Sequence, residues 1–278
     1  MKSLLLLSLT LSSLLTLAAQ DLRVMTYNIR LDTDWDGDDR WDLRKAFLAD
    51  QVRFYDPAIM GVQEALHHQM TYLDSTLVDH HYVGVGRDDG AEAGEYSAIF
   101  YQHTVLELLD QGTFWLSTTP DKPSVGWDAA MERICTWGHF RHRSSGRTLW
   151  VFNTHFDHIG EQARVESARL IHRQATALAG PEEPVIIMGD LNLEPAAEPI
   201  RIFSESWTDA HDAANLSLGP EGTFNGFDLC QPITRRIDYI FLRPGYFQVL
   251  RYLVMSDRRH GHFPSDHLPV FAELRLNE

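Results

Sequence analysis

The sequence predicts an α/β fold of mixed β-sheets covered by helices, and two observations carry that expectation. Short apolar runs rich in β-branched and aromatic residues recur along the chain and stop at polar, glycine or proline positions, as strands do. Between them lie stretches whose apolar residues repeat at helical spacing. Some runs are apolar throughout and others alternate. Strands buried on both faces and strands buried on one face are therefore both expected, as in mixed sheets.

Taken in order, the strand-like runs are "LRVMTYNI" (22–29), "AIMGVQE" (58–64), "YVGVGR" (82–87), "YSAIFY" (96–101), "TLWVFNTH" (148–155), "PVIIMGD" (184–190), "RIDYIFL" (236–242) and "LPVFAEL" (268–274). A helix is expected over Trp41–Tyr55, with Leu43, Ala46, Phe47 and Phe54 on its apolar side. A second is expected over Glu161–Ala179, with Leu170, Ile171, Ala175 and Leu178 inward and a Gly180-Pro181 stop behind it. "RHRSSGR" (141–147) reads as an exposed hairpin turn. "WDAAMERICTW" (127–137) and "TFNGFD" (223–228) read as aromatic-bearing loops that line a pocket or pack in the core.

The first residues, "MKSLLLLSLTLSSLLTLAAQ", join one Lys2 to an apolar run and small residues at Ala18 and Ala19, the layout of a secretory signal peptide. The run is too short and too interrupted by Ser and Thr for a membrane span. Residues 1–19 are thus expected to be a cleaved signal, 20–278 a single exported domain, secreted or periplasmic, with no transmembrane segment. No fixed-period repeat or long linker divides the 278 residues. Cys135 and Cys230 allow at most one disulfide, which a domain of this size does not need. No dimerisation device is visible, and a monomer is expected.

Acidic residues number 39 against 24 basic ones, a formal net charge of -15. That balance disfavours a protein that grips long nucleic acid by its phosphates, which requires clustered Lys and Arg. A small phosphate ester held at a metal remains compatible with it.

Polar residues of one chemical kind gather where apolar runs end. "VIIMGDLNLEP" delivers Asp190 and Asn192, two residues apart and so on one face of an extended chain. "VFNTHFDH" repeats the device with Asn153, His155 and Asp157, and "VMTYNIR" with Asn28 and Arg30. Glu64 closes "IMGVQE", Asp238 sits in "RRIDYIFL", and "FPSDHLPV" supplies Asp266 and His267. Singly, each has a structural reading as a turn former, a cap or a satisfied histidine. Together they suit one reaction. The hard oxygens of Glu64, Asp190 and Asp266 match Mg²⁺ or Mn²⁺, while uncharged Asn28, Asn153 and Asn192 can bond phosphate oxygens without repelling them.

The ordered set "YNIR", "GVQE", "YSAIFY", "NTHFDH", "GDLN", "RIDYIF" and "SDHLP" resembles the endonuclease/exonuclease/phosphatase superfamily of metal-dependent phosphoesterases, which includes DNase I-like nucleases, neutral sphingomyelinases and inositol polyphosphate 5-phosphatases. The resemblance runs from Arg23 to Leu276 and implies a four-layer α/β sandwich, two mixed sheets packed face to face with helices outside. It further implies that Glu64 is the principal metal ligand, with Asn28 and Asp266 completing the site. Asp190 would orient or activate the attacking water and Asn192 would hold a phosphate oxygen. His267 would meet the scissile phosphate with Asp238 behind its far nitrogen. His155 would stabilise the developing charge or protonate the leaving oxygen, with Glu95 orienting it. Such a division supplies charge neutralisation, a nucleophile and a proton for the leaving group. Abasic-site nucleases of the superfamily carry an acid where this chain has Arg30, so Arg30 is read as a phosphate clamp and a DNA-repair role is disfavoured.

The stretch "LDTDWDGDDRWD" (31–42) matches the first half of a calcium loop, with Asp32, Asp34, Asp36 and Gly37 in phase. Leu43 stands where the bidentate Glu belongs, and a strand rather than a helix precedes it, so an EF-hand is not expected. The loop is expected at the mouth of the site, where Trp35, Trp41 and the acids shape a polar ligand. The leading reading is an exported Mg²⁺- or Mn²⁺-dependent phosphoesterase of a small, possibly sugar-linked, substrate. A secreted nonspecific nuclease, a sphingomyelinase-like lipid phosphodiesterase using "GTFWLSTTP" (112–120), and a non-catalytic binding module are the alternatives.

Overall fold

Residues 21–277 are described by the computed structural model, so the expected signal peptide lies outside the described residues. The chain runs β1 (Asp21–Asn28), a 3-10 turn (Asp34–Asp39), α1 (Trp41–Tyr55), β2 (Ile59–Ala65), α2 (His67–Thr76), β3 (His80–Val83), β4 (Tyr96–Gln102), β5 (Leu106–Trp115) and β6 (Ile134–His142). It continues through β7 (Thr148–His155), α3 (Glu161–Ala179), β8 (Val185–Asp190), α4 (Glu198–Ser204), β9 (Thr208–Asp209) and α5 (Ala210–Ala213). β10 (Ser217–Leu218), β11 (Asp238–Leu242), β12 (Phe247–Val254) and β13 (Val270–Leu276) complete it.

Two sheets result, ordered β10-β12-β13-β1-β2-β4-β3 and β5-β6-β7-β8-β11-β9. Each is mixed: β1 pairs parallel with β2 and antiparallel with β13, and β8 pairs parallel with β7 and antiparallel with β11. The inner faces meet in a core that joins Val24, Ile59 and Ile99 of one sheet to Val151, Ile186 and Ile240 of the other. Behind the second sheet, Ile171 and Ala175 of α3 and Phe203 of α4 pack on Phe152, Ile187 and Phe241. Behind the first, Leu48 and Val52 of α1 and Met70 and Leu73 of α2 pack on Met25, Met60 and Val62. These are the four layers the sequence resemblance implies.

All eight strand-like runs overlap strands of the sheets, and both helices keep their expected limits. The inward faces differ. α1 buries Trp41, Arg44, Leu48, Ala49, Gln51 and Val52, while Leu43 is 57% and Phe54 82% exposed. In α3, Leu170, Ile171 and Ala175 are buried and Leu178 lies at the surface. β5, β6 and β12 are additional strands, and residues Ile134 to Trp137 of the expected aromatic loop belong to β6. The segment 112–120 is no membrane hairpin: Phe114, Trp115 and Leu116 are buried. Trp41 is likewise a core residue, 2% exposed, and not a ligand platform.

One polar inclusion sits between the sheets. Asn153 on β7 is fully buried, and its amide donates to the carbonyls of Val62 and Ala98 at 2.9 and 2.8 Å while its oxygen accepts from Gln63 Nε2 at 2.6 Å. A side chain at Gly61 would put its Cβ 2.6 Å from Asn153 Oδ1, so the glycine makes room for the cross-sheet bond. Asn153 therefore braces the two sheets and is not a substrate-binding residue.

Candidate active site

Adjacent strands of both sheets end on one side of the sandwich and bring their terminal polar residues together. β1 ends on Asn28, β7 on His155 and β8 on Asp190, while Asp238 opens β11 directly opposite Asp190. Glu64 lies at a register shift in the β2–β4 ladder, a bulge that turns its side chain to this end. Arg30, Glu64 and Asn192 all hold positive φ, at 57°, 64° and 53°. Such backbone is costly for residues with a Cβ and collects where a site demands a particular side-chain direction.

Asn28 ties the centre together. Its Nδ2 donates to Glu64 Oε1 at 3.0 Å and to Asp190 Oδ2 at 2.9 Å, while its Oδ1 accepts from the Arg30 amide at 3.0 Å. Asn28 thus presents its amide protons to the two carboxylates and holds them together. Glu64 Oε2 accepts from the Leu31 amide at 3.1 Å. Asp190 Oδ1 accepts from the Asn192 amide at 2.8 Å.

His267 is held between two carboxylates. Its Nδ1 is 2.9 Å from Asp238 Oδ2, and its Nε2 faces Asp190 Oδ2 at 3.6 Å. Burial opposes charge on this ring, but Asp238, Asp190 and Asp266 outweigh burial and raise its affinity for a proton well above that of an ordinary histidine. Burial pushes the Asp190 carboxyl up to about 7, against the attraction of His267 and the Asn28 and Asn192 N–H donors. An acid poised near neutrality beside an imidazolium is suited to taking a proton from water.

His155 is different. Its Nε2 meets the Asn192 amide nitrogen at 3.0 Å and Asp190 Oδ2 at 3.5 Å. Because Asn192 Nδ2 also donates to the Phe156 carbonyl, the amide is oriented as a donor and His155 Nε2 is the acceptor. Burial, then the nearby Arg133 and Arg87, lower the basicity of His155 well below the usual value. The ring is neutral, with its proton on Nδ1, buried and without a hydrogen-bond partner among the described residues. In this arrangement Nε2 carries no proton, and both amide protons of Asn192 are engaged, by His155 and by the Phe156 carbonyl. Glu95 Oε2 is 3.8 Å from His155 Nδ1 and makes its two short bonds to Arg87, at 2.8 and 2.7 Å. It is an electrostatic neighbour of the histidine and not its hydrogen-bond partner.

Arg30 is not a free clamp, since its guanidinium forks onto Asp36 at 3.0 and 2.9 Å. It stands 3.9 Å from Glu64 Oε2 and 3.8 Å from Asp266 Oδ2, a fixed positive charge between the acids and their loop. Three aspartates of that loop are held by neighbouring side chains: Asp32 by His68, Asp36 by Arg30, and Asp39 by His262. They do not converge on a cation, so the loop rims the site.

The endonuclease/exonuclease/phosphatase family model matches residues 25–267. The chain belongs to this family. A family protein of Bacteroides thetaiotaomicron is 39% identical with a TM-score of 0.90, covering 93% of this chain and 99% of that one. A mannosyl-6-phosphatase of the same organism is 40% identical with a TM-score of 0.87, covering 91% and 99%. Rat nocturnin is 23% identical over 296 residues, 92% of this chain and 66% of nocturnin, so this chain spans just under two thirds of that relative. Members of this family are divalent-metal-dependent hydrolases of phosphate ester bonds.

The residues present fit such a metal. Ligand atoms of Glu64, His155 and Asp190 lie within 4.8 Å of one another, as do those of Asp190, Asp238 and His267. Asp238 also keeps a buried Oδ1 without a partner among the described residues. The first group includes the expected ligand Glu64, to which Asn28 donates at 3.0 Å. Asp266 stands outside it, facing Arg30. Sequence reasoning also passed over Arg44, Arg87 and Arg133. Arg44 is 3% exposed and donates to the carbonyls of Ile29, Arg30, Leu31, Asp39 and Pro264, fastening the rim loop to the segment before Asp266. An arginine at an inward position of a helix was the available signal.

Proposed function

We propose that the protein is an exported phosphoesterase that uses Mg²⁺ or Mn²⁺ to hydrolyse a small sugar-linked phosphate ester. The observation that carries the reading is the facing of Asp190 and His267 across 3.6 Å, with Asp238 behind the imidazole and Glu64 tied to Asp190 through Asn28. Glu64, beside Asn28 and Asp266, would hold the cation, whose chemistry is neutralisation of charge on the phosphate oxygens. Asp190 takes the proton of the attacking water as the bond between phosphorus and the sugar oxygen breaks, and the departing oxygen takes a proton from solvent. His267, protonated and braced by Asp238, donates to a phosphate oxygen as negative charge grows there. His155 stays neutral, and Asn192 keeps its ring in place.

Similarity to a mannosyl-6-phosphatase over nearly the whole of both chains supports a sugar phosphate as the substrate class. The formal charge of -15 supports a small ester over a nucleic acid. The apolar first residues support export. Hydrolysis of mannose 6-phosphate, p-nitrophenyl phosphate and plasmid DNA, each with Mg²⁺, Mn²⁺ or chelator, tests the reading. Metal-dependent release of phosphate from the sugar with little cutting of plasmid is expected. Efficient plasmid cutting with no turnover of small esters would replace it with the nuclease.

A further inference from the structure

A groove of about 330 Å³ lies between the 3-10 turn and α1 on one side and the 256–263 segment on the other. Asp38, Asp39 and Leu43 form one wall, and Arg259, His260 and His262 form the other. The second wall is a tight hairpin, closed by reciprocal 3.0 Å backbone bonds between Arg259 and His262 and fastened to the first by the 2.7 Å contact of His262 Nδ1 with Asp39 Oδ1. Arg44, which also lines it, bonds to the carbonyls of Ile29, Arg30 and Leu31 and of Pro264, so the groove shares a wall with the segments that carry Arg30 and lead to Asp266.

Resting on the function proposed above, we infer that this groove is the subsite for the uncharged part of the substrate and that it selects a hexose ring over a nucleobase. Its volume is that of a small-ligand site. The chemistry of its lining favours the sugar for two reasons. The aromatic rings that line it, Phe47 and Phe263, have arginine guanidinium groups over them, Arg259 at 4.4 Å and Arg258 at 5.1 Å, so neither offers a bare face for base stacking. What remains open to a ligand is the Asp38 carboxylate, the exposed imidazole of His260 and the aliphatic Leu43, 57% exposed. A pyranose presents this pairing in reverse: hydroxyls that donate to carboxylates and accept from imidazole, and C–H edges that cover an aliphatic side chain.

The test compares kcat/KM for mannose 6-phosphate, adenosine 5′-monophosphate and p-nitrophenyl phosphate in the full mature chain with metal. The variants are Asp38→Asn and Leu43→Trp, both at exposed positions and both checked by thermal melting. The wild type is expected to favour the sugar phosphate over the nucleotide by at least about tenfold. Each variant should reduce the ratio of sugar phosphate to p-nitrophenyl phosphate activity by about tenfold, chiefly through KM, as loss of binding shared by ground and transition states requires. Equal losses on both substrates would overturn the subsite and leave the phosphoesterase intact, as would a preference for the nucleotide. Turnover of no ester by the wild type would overturn both.

Discussion

His267 and Asp190 face each other at 3.6 Å, and each alters the other's hold on a proton: the carboxylate helps to keep the imidazole charged, and the imidazolium partly offsets the burial that pushes the carboxyl up to about 7. Asp238 anchors the far side of the ring at 2.9 Å. The pair is both the base and the charged donor of the proposed reaction.

Asp238→Asn removes the anion that most strongly favours the imidazolium. The high-pH limb of kcat/KM, which marks loss of the His267 proton, should move to lower pH, and activity at its optimum should fall by about 10² or more. A pH–rate profile of the variant against wild type measures both. An unchanged high-pH limb would detach Asp238 from the histidine.

Stability of the metal-free protein should depend on pH in a stated direction. Asp190 has a folded-state pKa of about 7 against an ordinary 3.8, so the folded state prefers the protonated acid and loses stability as pH rises between those values. His267, also raised, adds stability at low pH that is lost as pH rises through its folded value. Asp190→Asn removes the first penalty. In chelator it should stabilise the protein relative to wild type at pH 8 and change it little at pH 4. Denaturant unfolding at the two pH values decides, and destabilisation at pH 8 would contradict the electrostatic account.

Divalent cation should reverse that penalty. Binding to the folded state alone adds about 2.7 kcal/mol at a hundredfold excess over Kd. Thermal melting with MgCl₂ or MnCl₂ against chelator should show a concentration-dependent rise, largely lost in Glu64→Gln. A rise of the same size in the variant would place the cation elsewhere.

Asn153→Ala leaves the Val62 and Ala98 carbonyls and the Gln63 amide with a lost partner between the sheets. It should destabilise by about 2–4 kcal/mol while KM of the folded enzyme stays near wild type. Gly61→Ala should be at least as damaging, because its Cβ would meet Asn153 Oδ1 at 2.6 Å and Met188 Sδ at 3.1 Å. A raised KM in Asn153→Ala without loss of stability would restore Asn153 to the substrate.

The strands that cross the middle of the sandwich were legible in the sequence because burial on both faces leaves little but apolar residues, as in "PVIIMGD". β5, β6 and β12 were not, since half-exposed strands such as "FQVLRYLV" mix charges into the pattern. The candidate site was legible because its members stand where apolar runs stop. Their roles were less so. Asn28, Asn153 and Asn192 are the same residue type at the same kind of strand end, and the structure gives one to the carboxylates, one to the sheet interface and one to His155. That division depends on which strand lies opposite, which no local window contains. α1 shows the same limit: Arg44 faces inward because distant carbonyls gather around it, while Phe54 faces water.

The most direct measurement is phosphate release from mannose 6-phosphate with Mg²⁺ or Mn²⁺ by the wild type, Asp190→Ala and His267→Ala, with matched chelator controls. The account expects turnover that needs the metal and falls by at least about 10³ in each variant. Metal-dependent turnover surviving in both variants would contradict it.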